Sequence, residues 1–391
     1  MSDASTLSKR AQFGIPLSYG FFILFGAFGG ELLPTLNKNL QDTFTLTNTE
    51  LGYIISAVAL LGVVSNLLGG YLTDRVGALH TLLWTSLSLA LCLLFLWIQR
   101  DPTLFFIGYF LFVLLLGLTV ATNALGASLY GTQQAERMST LHGCQGVGRI
   151  LSPLILATLL ERGFSWFTIF FIGALGHLFF FMLFIRLQKL ESPPPILPIT
   201  KKSFFLPNMN SNVWIGLIAF FFCAATEAIY MNWIPVFFES EASYSKADSL
   251  LCLSAMMIGY TIVRFAPLWF KMRATSKFLL LTVFIQVAST TILFLHPSLF
   301  VSIFMSGLLG FSFGIYWPAQ LVVVYEFVPS AAHGTVVGLA VTTSAIGIFV
   351  LNTLFGYLIE RSTIGTIFLV LPICSLLFVW LHEQSKKIQA D

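Results

Sequence analysis

Twelve stretches of roughly twenty residues, almost free of charge, decide what this chain can fold into. They run over 16–36, 49–71, 78–99, 103–130, 139–160, 165–187, 212–238, 248–270, 276–295, 298–325, 331–356 and 363–382. Peptide groups in hydrocarbon find no water, so only helices or closed barrels cross a bilayer. About twenty apolar residues make one helical crossing. The alternating polarity of a lipid-embedded barrel is missing here. The expected fold is therefore all-α and integral to the membrane, with twelve transmembrane helices. Composition excludes the soluble alternative. The chain is 57% hydrophobic and 9% charged, whereas a soluble domain is about 25% charged. Its 40 phenylalanines suit lipid-facing surfaces better than a close-packed soluble core.

Charge placement sets the expected orientation. With both termini inside, Lys9, Arg10, Arg75, Arg137, Arg186, Lys189, Lys201, Lys202, Lys271, Arg273, Lys277, Lys386 and Lys387 fall on inner segments. Only Lys38, Arg100, Arg162, Lys246 and Arg361 fall outside. This bias places positive loops in the cytoplasm, so the expected location is a bacterial inner (plasma) membrane, with lipid as surroundings. The net charge of +3 is a topology signal, and no basic patch points to nucleic acid. The first apolar run lacks an A-x-A-like cleavage site and is too long for a signal-peptide core, so no removal is expected. Cys92, Cys144, Cys223, Cys252 and Cys374 all lie within spans. They read as small packing residues, with neither a disulfide set nor a metal site.

The longest polar stretch, "QKLESPPPILPITKKSFFLPNMNSN", lies after the sixth span. Its prolines forbid regular helix and stiffen the connection. The expected division is a six-helix half over 1–190, a cytoplasmic linker over 191–210 and a second six-helix half over 211–391. Such paired halves place a substrate site at their interface near the bilayer midplane.

Between the second and third spans stands "GGYLTDRVG", an acid beside a base with glycines on both sides. Gly70, Asp74, Arg75 and Gly77 fit the pattern G-x-x-x-D-R-x-G, although Ala78, Leu79 and His80 replace the basic residues expected next. The stretch resembles the loop 2–3 signature of the major facilitator superfamily, and the likeness extends over the whole chain. The resemblance implies that Asp74 latches the halves together by meeting the inner N-terminus of the eleventh helix, near "PSAAHG". A carboxylate is favoured at a helix N-terminus by about 0.3–1 kcal/mol. The equivalent stretch of the second half, "RFAPLWFKMRATSK", keeps the bases and lacks the acid. In the fifth span, "LHGCQGVGRILSPLI" is similar to the family's glycine-proline pattern at Gly146, Gly148 and Pro153, with Ser152 in place of a glycine. With "GIYWPAQ" and "HGTVVGLAVTTSAIG" it is loosely similar to the branch of fucose and glucose-galactose proton symporters.

Charge inside the membrane is rare and functional by default. Sorting the charged residues leaves four in span interiors: Glu31, Arg149, Glu227 and Arg264. Two acids and two bases balance, which fits internal pairing or a site for an ion. In the fifth span, His142, Gln145, Arg149 and Ser152 fall on one helical stripe. Thr119 and Asn123 are four apart in the fourth span. Thr226 and Glu227 precede Tyr230 by about a turn in the seventh. Tyr316, Trp317 and Gln320 form a polar-aromatic face beside Pro318 in the tenth. The family resemblance implies that the first, fourth, seventh and tenth helices line the cavity and the fifth, eighth and eleventh flank it. The candidate substrate residues are thus Arg149, Gln145, Asn123, Glu227, Tyr230, Tyr316, Trp317, Gln320 and Arg264. The candidates for proton coupling are Glu31, Glu227 and His142. Gly70, Asp74, Arg75 and Gly77 are the candidate conformational latch.

No G-x-x-x-x-G-K-[ST] phosphate loop occurs, so ATP is not the direct driver. No H-E-x-x-H or clustered nucleophile and base argues for an enzyme, and no cofactor or metal is expected. The expected activity is that of a secondary active transporter, a monomer that moves a small polar metabolite by alternating access. Protons are the expected coupling ion, with sodium as the alternative. Paired arginines suit a carboxylate, mixed signs suit a zwitterion, and the Asn, Gln, Tyr and Trp set suits a neutral sugar. Symport of a carboxylate-bearing or zwitterionic solute ranks first; sugar symport and proton-driven efflux remain the alternatives.

Overall fold

A computed structural model of the chain describes residues 9–30, 32–130, 134–190, 211–269, 275–295, 298–327 and 333–387. Among these, regular structure is helical throughout, and no strand occurs. In chain order the helices are α1 (Lys9–Phe25), α2 (Leu32–Phe44), α3 (Asn48–Val76), α4 (Ala78–Ile98), α5 (Pro102–Leu116), α6 (Ala121–Tyr130), α7 (Gln134–Glu161) and α8 (Thr168–Leu190). After the linker come α9 (Ser211–Ser240), α10 (Lys246–Trp269), α11 (Ser276–Phe294), α12 (Leu299–Phe313), α13 (Tyr316–Glu326), α14 (His333–Ile359) and α15 (Ile364–Lys387). Among the described residues, eleven helical spans are long and apolar enough to cross a membrane. The tenth expected crossing is instead two shorter helices, α12 and α13, meeting at Gly314 and Ile315.

That break has a cause in the sequence. Helical residue 318 should donate to the carbonyl of residue 314, but Pro318 has no N–H. The Gly314 carbonyl is left over, and the helix turns tightly there.

By proximity the chain forms two compact units. One holds the described residues within 1–32 and 61–202, the other those within 33–60 and 203–391. The grouping differs from the chain order in one stretch: 33–60, the end of the first span and the start of the second, packs with the later helices.

In the first unit α4 lies on α8, and α1 on α7. The α1–α7 crossing is closed by glycine. A Cβ on Gly26 would sit 2.2 Å from the Gln145 carbonyl oxygen, and one on Gly148 would sit 2.1 Å from that of Ile23. Small residues let helix backbones touch in this way. Just past the contact α1 loosens into a π-helical turn, Gly26–Gly30, with Phe28 at φ −123 and ψ 18. Turns of that kind recur at functional sites.

In the second unit α10 lies on α12, while α9 packs against α14 and α15. A Cβ on Gly259 would approach the Gly307 oxygen to 1.8 Å, and one on Gly310 the Met256 oxygen to 1.9 Å. This backbone contact draws α10 against the broken crossing. Residues 33–60 join through named bonds. The Asn37 amide donates to the Asn232 carbonyl at 2.7 Å and lies 3.1 Å from Asn232 Oδ1. The Ser56 hydroxyl donates to the Phe349 carbonyl at 3.0 Å and meets Thr353 Oγ1 at 2.8 Å. The Thr49 N–H donates to Glu360 Oε1 at 3.0 Å. Asp42 pairs with Lys38 at 2.7 Å and with Lys246 at 2.8 Å.

Candidate functional site

Among the charged residues expected inside the membrane, the structure pairs Glu227 with Arg264. Arg264 Nη2 lies 3.7 Å from Glu227 Oε2, with 37% of the arginine side chain and 17% of the glutamate side chain exposed. The Tyr260 hydroxyl donates to Glu227 Oε1. The guanidinium also stacks over the Tyr260 ring, 4.0 Å from its centre, which adds a cation–π contact. Arg264 Nε donates to the Gly314 carbonyl at 3.1 Å, the group left without a helical partner by Pro318. Proline chemistry on one span thus fixes the arginine of another. Tyr260 precedes Arg264 by four residues, so the two share a helix face. That spacing was a signal for a residue absent from the candidate set.

A second proline settles Tyr230. Pro372 cannot donate to the Phe368 carbonyl, and the Tyr230 hydroxyl donates to it at 3.2 Å. The ring is fully buried and stacks on Phe313, with centres 5.8 Å apart. Tyr316 is equally buried, stacked on Phe378 at 4.6 Å with Thr282 donating to its hydroxyl at 3.2 Å. Gln320 is buried and bonded to His382 Nδ1 at 2.7 Å. All three are thus buried in the packing of the second unit. Trp317 is half-buried, its ring centre 5.2 Å from that of Phe220.

In the first unit Arg149 and Gln145 are half-buried on α7, at the crossing with the π-helical turn of α1. Ser152 on the same stripe is fully buried. Asn123 is half-buried, and its Oδ1 has no hydrogen-bond partner in the protein; the Thr119 hydroxyl donates to the Leu116 carbonyl at 2.6 Å. Glu31 lies outside the described residues, as do the side chains of His142 on α7 and Asp74 on α3. Of the other latch residues, Gly77 adopts φ +87 between α3 and α4, a conformation that favours glycine. The Arg75 guanidinium lies 4.9 Å from the Tyr71 ring centre, and a Cβ on Gly70 would meet nothing within 4 Å. Among the described residues no group of His, Cys, Asp and Glu is placed to hold a metal ion.

Regular structure among the described residues is thus helical throughout, with eleven spans able to cross a membrane and a charged pair, Glu227–Arg264, inside them. The model of the Major Facilitator Superfamily matches residues 17–352, and the chain belongs to that family. It is a multi-pass membrane protein of that family.

The chain is 24% identical over 260 residues to the quinolone resistance protein NorA of Staphylococcus aureus, covering 61% of each chain. The match thus spans about three fifths of that relative's length. It is 25% identical over 365 residues to the inner membrane transport protein YdiM of Escherichia coli (strain K12), covering 89% of this chain and 88% of the relative. Among solved structures, the nucleoside transporter NupG aligns with TM-score 0.78 at 15% identity, over 97% of this chain and 100% of the other. The xylose transporter XylE from E. coli aligns with TM-score 0.74 at 13% identity, over 95% of each chain. These two likenesses concern the fold.

Proposed function

We propose that the chain is a proton-coupled secondary transporter of a small polar metabolite in a bacterial inner membrane, working by alternating access with both termini cytoplasmic. The observation that carries this is the Glu227–Arg264 pair, partly exposed within spans of a family of transporters. A carboxyl gains and loses charge at modest cost, whereas an arginine holds its proton. Glu227 is therefore assigned the coupling proton, with Glu31 and His142 as further candidates.

Solute binding is assigned to Arg149, Gln145 and Asn123 in the half 1–190 and to Arg264 and Trp317 in the half 211–391, with Glu227 beside Arg264. A carboxylate-bearing or zwitterionic solute answers the two arginines best. Gly70, Asp74, Arg75 and Gly77 act as the latch of the cycle, and the working unit is a monomer. The similarity to a quinolone resistance protein favours efflux as the second reading, and the fold shared with a xylose transporter keeps sugar symport as a third.

The test is accumulation by protein reconstituted in liposomes. Glu227→Gln abolishes accumulation against a gradient and leaves solute exchange intact. Equal accumulation by the parent with and without a pH gradient would overturn proton coupling.

A further inference from the structure

The Glu227 carboxylate sits in a receptor built from a hydroxyl and a guanidinium. One oxygen takes the Tyr260 hydroxyl proton, and the other faces Arg264 Nη2. Contacts from outside the carboxylate hold that receptor in place. The guanidinium is fixed through Nε on the Gly314 carbonyl and stacked on Tyr260, and Tyr260 is itself almost fully buried against Phe313, ring centres 5.9 Å apart. The backbone contact of Gly259 and Gly310 fixes α10 on α12 beside them. The donors are thus preorganised whether or not Glu227 occupies them, and Arg264 keeps 37% of its side chain exposed.

We infer that Tyr260 and Arg264 form a carboxylate-binding site of the transported solute, with Glu227 as its internal stand-in. This rests on the proton-coupled reading above. When Glu227 takes up a proton, its attraction to Arg264 falls away, and the solute's carboxylate takes the same two donors. When the solute leaves, Glu227 gives the proton back and reoccupies them. One proton and one carboxylate therefore travel together without adding net charge to the spans. Burying an unpaired charge there is expensive, which is why the exchange is obligatory. A neutral sugar offers nothing that displaces Glu227, so the site selects acids.

The surroundings allow this. Among the described residues, titratable groups facing Glu227 include Cys223 on its own helix and Tyr260 and Arg264 on α10. Toward the same helix α13 presents Tyr316, facing Cys223, and α15 presents Cys374, facing Tyr230; neither residue type carries charge near neutrality. α12 has no titratable residue, and α14 has only His333 and Tyr357, near its two ends.

The experiment measures thermal unfolding of the purified full-length protein with pyruvate, succinate and benzoate, each beside its neutral amide. Measurements run at mildly acidic and mildly alkaline pH. At least one carboxylate stabilises the parent at acidic pH and binds about tenfold or more weakly at alkaline pH, while the amides do nothing. Glu227→Gln binds that carboxylate at both pH values, because the stand-in has lost its charge. Tyr260→Phe loses one charge-assisted bond and weakens binding by about tenfold or more. Carboxylate binding lost in Glu227→Gln, unchanged in a folded Tyr260→Phe, seen for none of the three acids, or matched by the amides would each overturn the inference. If Glu227→Gln does not fold, the Tyr260→Phe comparison at acidic pH decides alone. The two readings fail separately. Accumulation that ignores a pH gradient removes the coupling, whereas coupling that persists with amides bound as well as acids removes only the carboxylate site.

Discussion

Replacing Gly356 by valine should open the packing of residues 33–60 on the second unit. A Cβ at 356 would lie 2.8 Å from the Asn48 carbonyl oxygen and 3.0 Å from Gly52 Cα, and the reciprocal Cβ at 52 would lie 2.9 Å from the Asn352 oxygen. These are backbone atoms on both sides, so no side chain can swing aside. Overpacking of this kind costs about 1–3 kcal/mol. At 1.36 kcal/mol per factor of ten, the packed state loses about 5-fold to 150-fold in relative population. Ser56, one turn further along α3, is 1% exposed in that state and reports the opening. The five native cysteines are first replaced, and a cysteine at 56 is labelled with a maleimide in the purified protein. Faster labelling by at least about fivefold is expected in Gly356→Val than in Gly356 protein. Unchanged labelling in a variant that unfolds normally would refute the premise that this contact holds a state able to open.

Acid should loosen the same contact. The Thr49 N–H bond holds the Glu360 carboxyl below the usual carboxylate range, so its contribution is present above the ordinary value and lost as pH falls through the lowered one. Labelling at 56, taken relative to a free thiol at the same pH because the thiolate is the nucleophile, rises on acidification and is flat in Glu360→Gln; a parallel rise in both would exclude Glu360 as the sensor. Gly310→Ala puts a methyl 1.9 Å from the Met256 oxygen and should destabilise by about 3 kcal/mol or more, read as a fall in Tm. Gly62→Ala, with nothing within 4 Å, should be neutral or stabilising by up to about 1 kcal/mol, and equal effects at the two sites would disprove the packing argument. Arg149→Lys should weaken an anionic solute strongly, because a point charge replaces a two-pronged planar donor. Unchanged affinity in both Arg149→Lys and Arg149→Ala removes Arg149 from the binding site.

The pair at the centre of the candidate site was legible because burial of charge in hydrocarbon is so costly that Glu227 and Arg264 stood out without a structure. Their partner Tyr260 was legible too, four residues before Arg264 on one face, yet an aromatic in an aromatic-rich span carries little signal alone. Asn37 and Asn232 gave no sign of each other, since 195 residues separate them. Tyr230, Tyr316 and Gln320 were legible as polar side chains but not by their partners, for a common reason. A polar atom in an apolar helix has the same pattern whether it faces a solute or satisfies a neighbouring helix.

Residue order alone dictated the helical membrane fold, because a backbone in hydrocarbon must satisfy itself in helices or a closed barrel, and runs of about twenty apolar residues without alternating polarity leave only helices. It also determined where two carbonyls would be orphaned, at Gly314 and Phe368, since Pro318 and Pro372 lack the N–H that each would need. Which side chains answered them was decided only by tertiary structure. The glycine contacts of α10 with α12 and the packing of α9 on α15 brought Arg264 to one carbonyl and Tyr230 to the other. A helix specifies its own hydrogen bonds locally, but the partner of a missing one depends on which distant helix lies alongside.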